Sequence, residues 1–427
     1  MLTQHNLNRR DFLKQTGLLG LAASLTGRLQ GATLDRPASK FDAVLAKYPK
    51  LPPAPVGKGI FAHVKATTGE LRHDPEVVRS WAEHSHISGT QLSYCWARLE
   101  PEARQYRWDI IEADMDIWAR NGKKCWLEVS TAGRWWANSE CDPGTPQWVY
   151  DQGVPFVKAP KTATYPLFWD GRYLKEWEKF IHAFAQRFDG DPRVEFVAPG
   201  GYSNGTEPKL SSKENDQLMD QWKQHGFDGF TASGIYLSKG VKPVLKFFFD
   251  AFKRTPVGQT YVSKGEFTDE LNRYATQELK FFLKSNGQGM RSANPEGRQA
   301  WRDRREKYGV KVGYAEWGPS SRIADEEQFQ LKKEKKRQAE EKRDFTAKIE
   351  LDPAKMAKLI DAYRGLIGDD NDPSLRPSAR LSYLAFGERI PEAETEEEWN
   401  AGLKWAWEHL EAEQPRPPPR RLTMLGL

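Results

Sequence analysis

The chain has 427 residues, 38% hydrophobic and 29% charged, enough apolar sequence for a large core, which excludes a low-complexity or fibrous chain. The net charge of +5 comes from basic residues interleaved with acids, most densely over 326–343, as on a solvated helix face, so no nucleic-acid partner is expected. Three cysteines, Cys95, Cys125 and Cys141, are odd in number and lack metal-ligand spacing, so neither a disulfide framework nor a metal is expected.

At the amino end, Asn8-Arg9-Arg10-Asp11-Phe12-Leu13-Lys14 precedes a short, weakly apolar stretch from Gly17 to Leu25. This resembles a twin-arginine export signal: two arginines, any residue, then Phe-Leu-Lys. The resemblance implies a signal peptide over 1–31, the twin-arginine export machinery as a partner, and a periplasmic or secreted location. The apolar run is too short to span a bilayer and no cysteine follows it for lipid attachment, so no stable membrane anchor is expected.

Residues 32–57 read as a Pro-rich lead ending in Leu51-Pro52-Pro53-Ala54-Pro55. Strand and helix patterns then alternate. Strands are predicted at Gly59–His63, Gly89–Trp96, Lys124–Val129, Val194–Val197, Val257–Val262, Lys280–Leu283, Val310–Ala315 and Leu381–Phe386. Helices are predicted at Pro75–Glu83, Trp108–Asn121, Arg172–Phe188, Val241–Phe252, Asp269–Leu279, Pro295–Tyr308, within 326–367, and at Glu396–Leu410. Eight strand–helix alternations with no long β-only stretch predict an α/β fold, a single (β/α)8 TIM barrel over 58–412. Its long βα-loop insertions fall at Thr131–Asp170, Asn204–Lys239 and Arg322–Glu350, and 413–427 form a Pro/Arg-rich tail.

In such a barrel the working groups sit at the carboxyl ends of the strands. That rule selects His63, Tyr94, Trp96, Arg98, Trp135, Trp136, Asn204, Glu207, Tyr261, Asn286, Glu316, Trp317 and Glu388. Two strings stand out, Gly200-Gly201-Tyr202-Ser203-Asn204-Gly205-Thr206-Glu207 and Gly313-Tyr314-Ala315-Glu316-Trp317-Gly318, each following a β-type run and holding a carboxylate beside glycine and aromatic residues. Paired carboxylates at strand ends suit glycoside cleavage, where one protonates the leaving oxygen and the other meets the developing oxocarbenium ion. Tryptophan is plentiful, at 16 residues, and Trp135, Trp136, Trp148 and Trp169 in the third-strand loop are candidates for stacking on sugar faces or for packing that loop onto the rim. Glu100 is expected to anchor a turn, and Glu128 to pair inside the barrel with Arg98 or Lys124. No cofactor is expected, because Gly287-Gln288-Gly289 lacks the strand–helix context of a phosphate loop, and His84 and His86 find no further metal ligands.

The segment Tyr94-Cys95-Trp96-Ala97-Arg98-Leu99-Glu100-Pro101, then Tyr106-Arg107-Trp108-Asp109, resembles one that follows strand 2 in clan A glycoside hydrolases, in particular the β-galactosidase-like families. Phe168-Trp169-Asp170 and Asp189-Gly190-Asp191-Pro192-Arg193 are similar to the same families. The resemblance spans about Gly59 to Leu410 and is patchy in the second half. It implies a carbohydrate substrate and a retaining mechanism, with Glu207 as acid/base and Glu316 as nucleophile. Arg98 is expected near the nucleophile as a hydrogen-bond donor, with a structural ion pair as the alternative. His63, Trp96, Arg98, Trp135, Trp136, Asn204, Tyr261, Asn286, Trp317 and Glu388 are the candidate substrate-binding residues. One departure stands: these families commonly carry Asn directly before the acid/base glutamate, and here Thr206 takes that place with Asn204 two residues earlier. An inactive barrel that binds polysaccharide and an inverting carboxylate hydrolase are the alternatives.

Overall fold

The computed structural model describes residues 40–52, 56–62, 75–85, 87–132, 144–158, 164–203, 205–208, 215–261, 265–288, 299, 303, 306–308, 312–316, 381–386 and 408. The chain divides into two units, Met1–Asp42 and Ala43–Leu427, and the sheet belongs to the second.

Ten strands are present among the described residues: β1 (Gly59–Ala62), β2 (Gly89–Cys95), β3 (Lys124–Ser130), β4 (Phe156–Lys158), β5 (Thr164–Pro166), β6 (Val194–Ala198), β7 (Gly258–Thr260), β8 (Phe282–Gln288), β9 (Val312–Glu316) and β10 (Leu381–Phe386). Eight of them form one sheet in the order β6-β3-β2-β1-β10-β9-β8-β7, with every neighbouring pair parallel. Its two edge strands meet through a single parallel bridge, Val197 to Val257, with the Val197 amide donating to the Pro256 carbonyl at 3.0 Å. The strand order is that of a TIM-barrel-like fold, while the last seam is a point contact rather than a ladder. The remaining strands, β4 and β5, make an antiparallel hairpin inside the first predicted insertion.

The helices are α1 (Asp42–Lys47), α2 (Pro75–Glu83), α3 (Trp96–Leu99), α4 (Trp108–Ala119), α5 (Gln147–Asp151), α6 (Gly171–Phe188), α7 (Asn215–Gln224), α8 (Lys242–Ala251) and α9 (Glu266–Arg273). Single π-helical turns precede α8 (Tyr236–Val241) and follow α9 (Tyr274–Glu278). The long α6 shows why these segments are helical. The Asp170 carboxylate caps its first turn, accepting from the amides of Arg172 at 2.9 Å and Tyr173 at 3.4 Å. A buried stripe at helical spacing follows: Tyr173, Trp177, Phe180, Ile181, Phe184 and Phe188.

The strands alternate between two cores. Phe61, Trp126, Phe196 and Phe282 form a cluster of their own on the inner face of the sheet. Their neighbours Leu92, Tyr94, Leu127, Val129, Val197 and Leu283 join the larger core with the helices. That period of two puts every second residue inside the sheet.

The amino ends of the strands are pinned by charge. Glu195 accepts from the amides of Gly57 at 2.7 Å and Val56 at 3.2 Å, tying the end of the Pro-rich lead to β6. Lys124 Nζ donates to the Pro192 carbonyl at 2.6 Å, and Arg193 makes a two-pronged bond to Asp191 at 3.1 and 2.8 Å.

Several predicted elements move. The helix α1 lies in a stretch read as an irregular lead, and α3, α5, α7 and the β4–β5 hairpin lie in segments read as loop. The second strand stops at Cys95, and Trp96 opens α3 instead. The sixth strand is displaced. It was expected at Lys280–Leu283, but Lys280 sits at φ 59, a turn conformation, and pairing runs on through Lys284, Ser285 and Asn286 to Gln288. The residues beyond Leu283 that join the ladder are polar. They are tolerated because pairing depends on the backbone ladder, and Lys284 points into a polar interior described below. The signal-peptide and tail assignments, and the helix predicted within 326–367, lie outside the described residues, as does most of Glu396–Leu410.

Candidate active site

Because the sheet strands run parallel, their carboxyl ends share one face, and side-chain polarity changes there. Beside and beyond the aromatic layer, the inward positions become Gln91 and Ser93 on β2, Glu128 on β3, Thr260 on β7 and Lys284 on β8, while Gln259 on β7 meets the Tyr202 hydroxyl on the other face. All but Ser93 are buried. Two short chains of hydrogen bonds organise them. On one side Gln91 Nε2 donates to Ser93 Oγ at 3.1 Å, and Ser93 donates in turn to Glu128 Oε1. On the other, Thr260 Oγ1 donates to Thr206 Oγ1 at 2.9 Å, and Lys284 Nζ lies 3.4 Å from the same hydroxyl and 4.7 Å above the Trp126 ring.

Thr206 belongs to the loop that carries Glu207, and that loop is held from several directions. Gly200 lies so close to β3 that a Cβ would sit 2.1 Å from the Val129 carbonyl oxygen. Gly201 has φ +104, and a Cβ there would lie 2.1 Å from Trp177 Nε1, so both glycines are required by close approach. Tyr173 donates to the Gly201 carbonyl at 2.7 Å, and Tyr236 donates to that of Tyr202. The Tyr202 hydroxyl is buried within reach of the carbonyls of Pro199 (2.8 Å) and Thr206 (3.1 Å) and of Gln259 Oε1 (3.1 Å). Burial is the main cause that pushes its pKa up; the bond to Gln259 opposes that, and the negative charges of Glu128 and Glu207 add to it. Those two carboxylates therefore act on the same tyrosine. Glu207 itself is half-buried at the end of this loop.

Glu316 is the last residue of β9 and Asn286 lies within β8, where pairing sets their backbones. Tyr261 follows β7, its ring nearly buried and 6.5 Å from Tyr308, its amide donating to the Lys284 carbonyl at 2.6 Å. His63, Trp135, Trp136, Asn204, Trp317 and Glu388 lie outside the described residues. Arg98, in α3, is half-buried, and its charge acts on the Tyr94 hydroxyl, which donates to Asp114 at 2.7 Å.

Trp96 needs correction. Expected at the substrate, it is fully buried among the helices, with Trp177 at 5.0 Å and Phe180 at 5.7 Å between ring centroids, and its Nε1 donates to Glu100 Oε2 at 2.8 Å. Trp96 keeps the outward parity of Leu92 and Tyr94 as α3 begins, which carries its side chain into the helix layer. Two of the loop tryptophans likewise pack the rim. Trp148 Nε1 donates to the Glu100 carbonyl at 3.1 Å, and Trp169 Nε1 to that of His225 at 3.1 Å, its ring against Trp222 and Phe227. Glu100 holds the turn as expected, accepting also from the Arg104 amide at 2.7 Å. Lys124, one of the two expected partners of Glu128, instead reaches the opposite end of the strand.

The sequence reading missed Thr206, Thr260 and Lys284 as a unit and gave Glu128 a secondary place. A usable signal exists: each of Trp126-Leu127-Glu128 and Phe282-Leu283-Lys284 places a charge two residues beyond an inward aromatic. Among the described residues no group of three His, Cys, Asp or Glu could hold a metal ion. No helix among them is long and apolar enough to cross a membrane.

No protein-family model matches the chain, and no curated protein matches its sequence. Solved structures do resemble it. Xylanase 10B from Thermotoga maritima is 11% identical, with a TM-score of 0.47 over 83% of this chain and 95% of that one. The β-galactosidase from the psychrophilic Marinomonas ef1 is 11% identical, with a TM-score of 0.46 over 81% and 59%. The catalytic domain of β-amylase from Paenibacillus polymyxa is 12% identical, with a TM-score of 0.42 over 62% and 88%. The likeness is spread over several kinds of glycoside hydrolase and does not single out the β-galactosidase-like families; at this level it carries nothing about chemistry.

Proposed function

We propose that this chain is an exported retaining glycoside hydrolase that cleaves β-glycosidic bonds in a poly- or oligosaccharide by double displacement. The observation that carries the reading is the shared edge: the loop bearing Glu207 leaves the carboxyl end of β6, Glu316 ends β9, and the sheet between them is parallel throughout. In this reading Glu316 attacks the anomeric carbon as Glu207 gives its proton to the departing oxygen. Glu207 then takes a proton from water, which attacks the same carbon and releases Glu316 with the configuration retained. Glu128, buried in the same polar interior, lies well placed to accept hydrogen bonds from sugar hydroxyls.

Four measurements test this reading. Proton NMR of the first product anomer from aryl β-glycosides should show retention, with the two carboxyl groups about 5–5.5 Å apart in a substrate-bound crystal structure. Inversion would remove the nucleophile role of Glu316, and lack of turnover across β-glycosides and polysaccharides, with binding intact, would leave a binding barrel. Glu207→Gln should lower kcat by about 10²–10⁴-fold on substrates with poor leaving groups, and less on activated ones. Export rests on the paired arginines: replacing both Arg9 and Arg10 by Lys should leave the protein in the cytoplasm on fractionation.

A further inference from the structure

A lysine inside a barrel needs a reason. Lys284 is only 3% exposed, and it follows Phe282 on the inward face of β8, where an aliphatic side chain would fill the space without the cost of burying a charge. Its ammonium group lies over Trp126 and beside the Thr206 hydroxyl, one residue before Glu207. Thr206 is itself 5% exposed, its hydroxyl shared between Lys284 and Thr260, and its carbonyl faces the Tyr202 hydroxyl. The Lys284 ammonium, the Thr260 hydroxyl and the Tyr202 hydroxyl thus all meet Thr206, the residue directly before Glu207.

We infer that Lys284 is a positioning residue: through Thr206 it holds the segment Gly205–Glu207 against the barrel interior and thereby sets where the Glu207 carboxyl stands. The inference rests on the acid/base role of Glu207 proposed above. It also accounts for threonine directly before that glutamate. A β-branched side chain with a single short hydroxyl reaches inward to Thr260 and Lys284, and its stiff χ1 transmits their hold to the backbone. The ammonium group is a small, strongly hydrated charge, so water excluded from this interior is replaced by the Thr206 oxygen and the Trp126 ring face.

The test uses the full chain and two readouts. Lys284→Met keeps length and loses charge; Thr206→Val keeps shape and loses the hydroxyl; Thr206→Ser restores the hydroxyl. On aryl β-glycosides, Lys284→Met and Thr206→Val should each lower kcat, by up to about 100-fold, with KM within about threefold, the pattern of a displaced catalytic group. The double variant should be no worse than Lys284→Met alone, because both break one linkage. Thr206→Ser should recover most of what Thr206→Val loses. Hydrogen–deuterium exchange should speed up over 200–207 in both damaging variants while β8 stays protected.

Unchanged kcat and unchanged exchange in Thr206→Val would overturn the inference, whether or not Lys284→Met folds. An equal rise in KM would assign Lys284 to substrate binding and overturn it likewise. Full activity in Glu207→Gln would overturn the acid/base reading instead, and the exchange data would then decide the hold of Lys284 on the loop alone. Loss of activity in Glu207→Gln with wild-type behaviour in Lys284→Met and Thr206→Val would leave the reading standing and remove the positioning role.

Discussion

The two ends of the sheet bury charge in different ways. At the amino end, charged groups are tied mainly to the main chain: Lys124 to the Pro192 carbonyl, Lys123 to the carbonyls of Trp81 and His84, and Glu195 to the amides of Val56 and Gly57. At the carboxyl end, the inward polar side chains bond to one another: Gln91 to Ser93 to Glu128, and Thr260 to Thr206 beside Lys284. A side chain tied to backbone is spent on holding segments together. One tied to another side chain can exchange that partner for a ligand without unpicking the fold. The difference suits the amino end to stability and, in the proposed function, the carboxyl end to chemistry.

The largest expected effect should come from Trp96, which the structure removes from the chemical end. Trp96→Ala should cost about 3–5 kcal/mol by opening a cavity beneath Trp148, Trp177 and Phe180, read by denaturant unfolding. Turnover per folded molecule should be spared; a large KM increase in the folded fraction would return Trp96 to the substrate.

Gly201→Ala comes next. It places a Cβ against the Trp177 ring at a φ that only glycine adopts readily, so a loss of about 1–3 kcal/mol is expected. Because the same loop carries Glu207, kcat should fall with stability, and a variant losing stability alone would separate the loop from the reaction.

A direct contrast of the two ends uses one isosteric change at each. Glu195→Gln should lower stability by about 1–2 kcal/mol, since the two amides donate to different carboxylate oxygens and glutamine offers only one acceptor, and should leave KM unchanged. Glu128→Gln should do the reverse, raising KM with little change in the unfolding midpoint. Equal effects of the two on both readouts would erase the distinction between the ends.

The smallest effect is a pH dependence from the amino end. Burial lowers the pKa values of Lys123 and Lys124 from 10.5 to about 8. Between those values the unfolded chain binds more protons than the folded one, so stability rises as pH increases through that window. Burial, the largest cause, pushes the hydroxyls of Tyr94, Tyr173 and Tyr236 well above 10.0; their contribution is complete below that pH and is lost above it as the unfolded chain ionises. The melting temperature should therefore climb beyond pH 8 and turn down beyond pH 10. The climb should be shallow, because carbonyl oxygens already solvate both ammonium groups. Lys123→Met should flatten it; an unchanged slope would show that the lysines do not carry it.

Much of the fold was legible because it depends on local pattern. The helix Pro75–Glu83 and the strand Leu381–Phe386 coincide with their predicted bounds, and α4, α6 and β3 differ only at their ends. The motifs that carried the resemblance also prove to be architectural among the described residues: Glu100 holds a turn, Asp170 caps α6, and Asp189 accepts from the amides of Arg254 and Thr255 ahead of β7. The candidate site was less legible. Glu207 and Glu316 were singled out from strand-end position, but Lys284 lay beyond the predicted end of its strand and Trp96 was placed among the substrate-binding residues.

Taken alone, the sequence determined the alternation of strands and helices, the carboxylates at two strand ends, and the glycines before Glu207, since hydrophobic period, turn chemistry and strand-end position are written within a few neighbouring residues. Only the tertiary structure decided which face each side chain takes and what it meets there. Lys284 meets Thr206 across 78 residues of chain, and Glu128 meets Ser93 across 35. Such contacts follow from sheet register, and a shift of one residue in register exchanges the inner and outer faces of a whole strand.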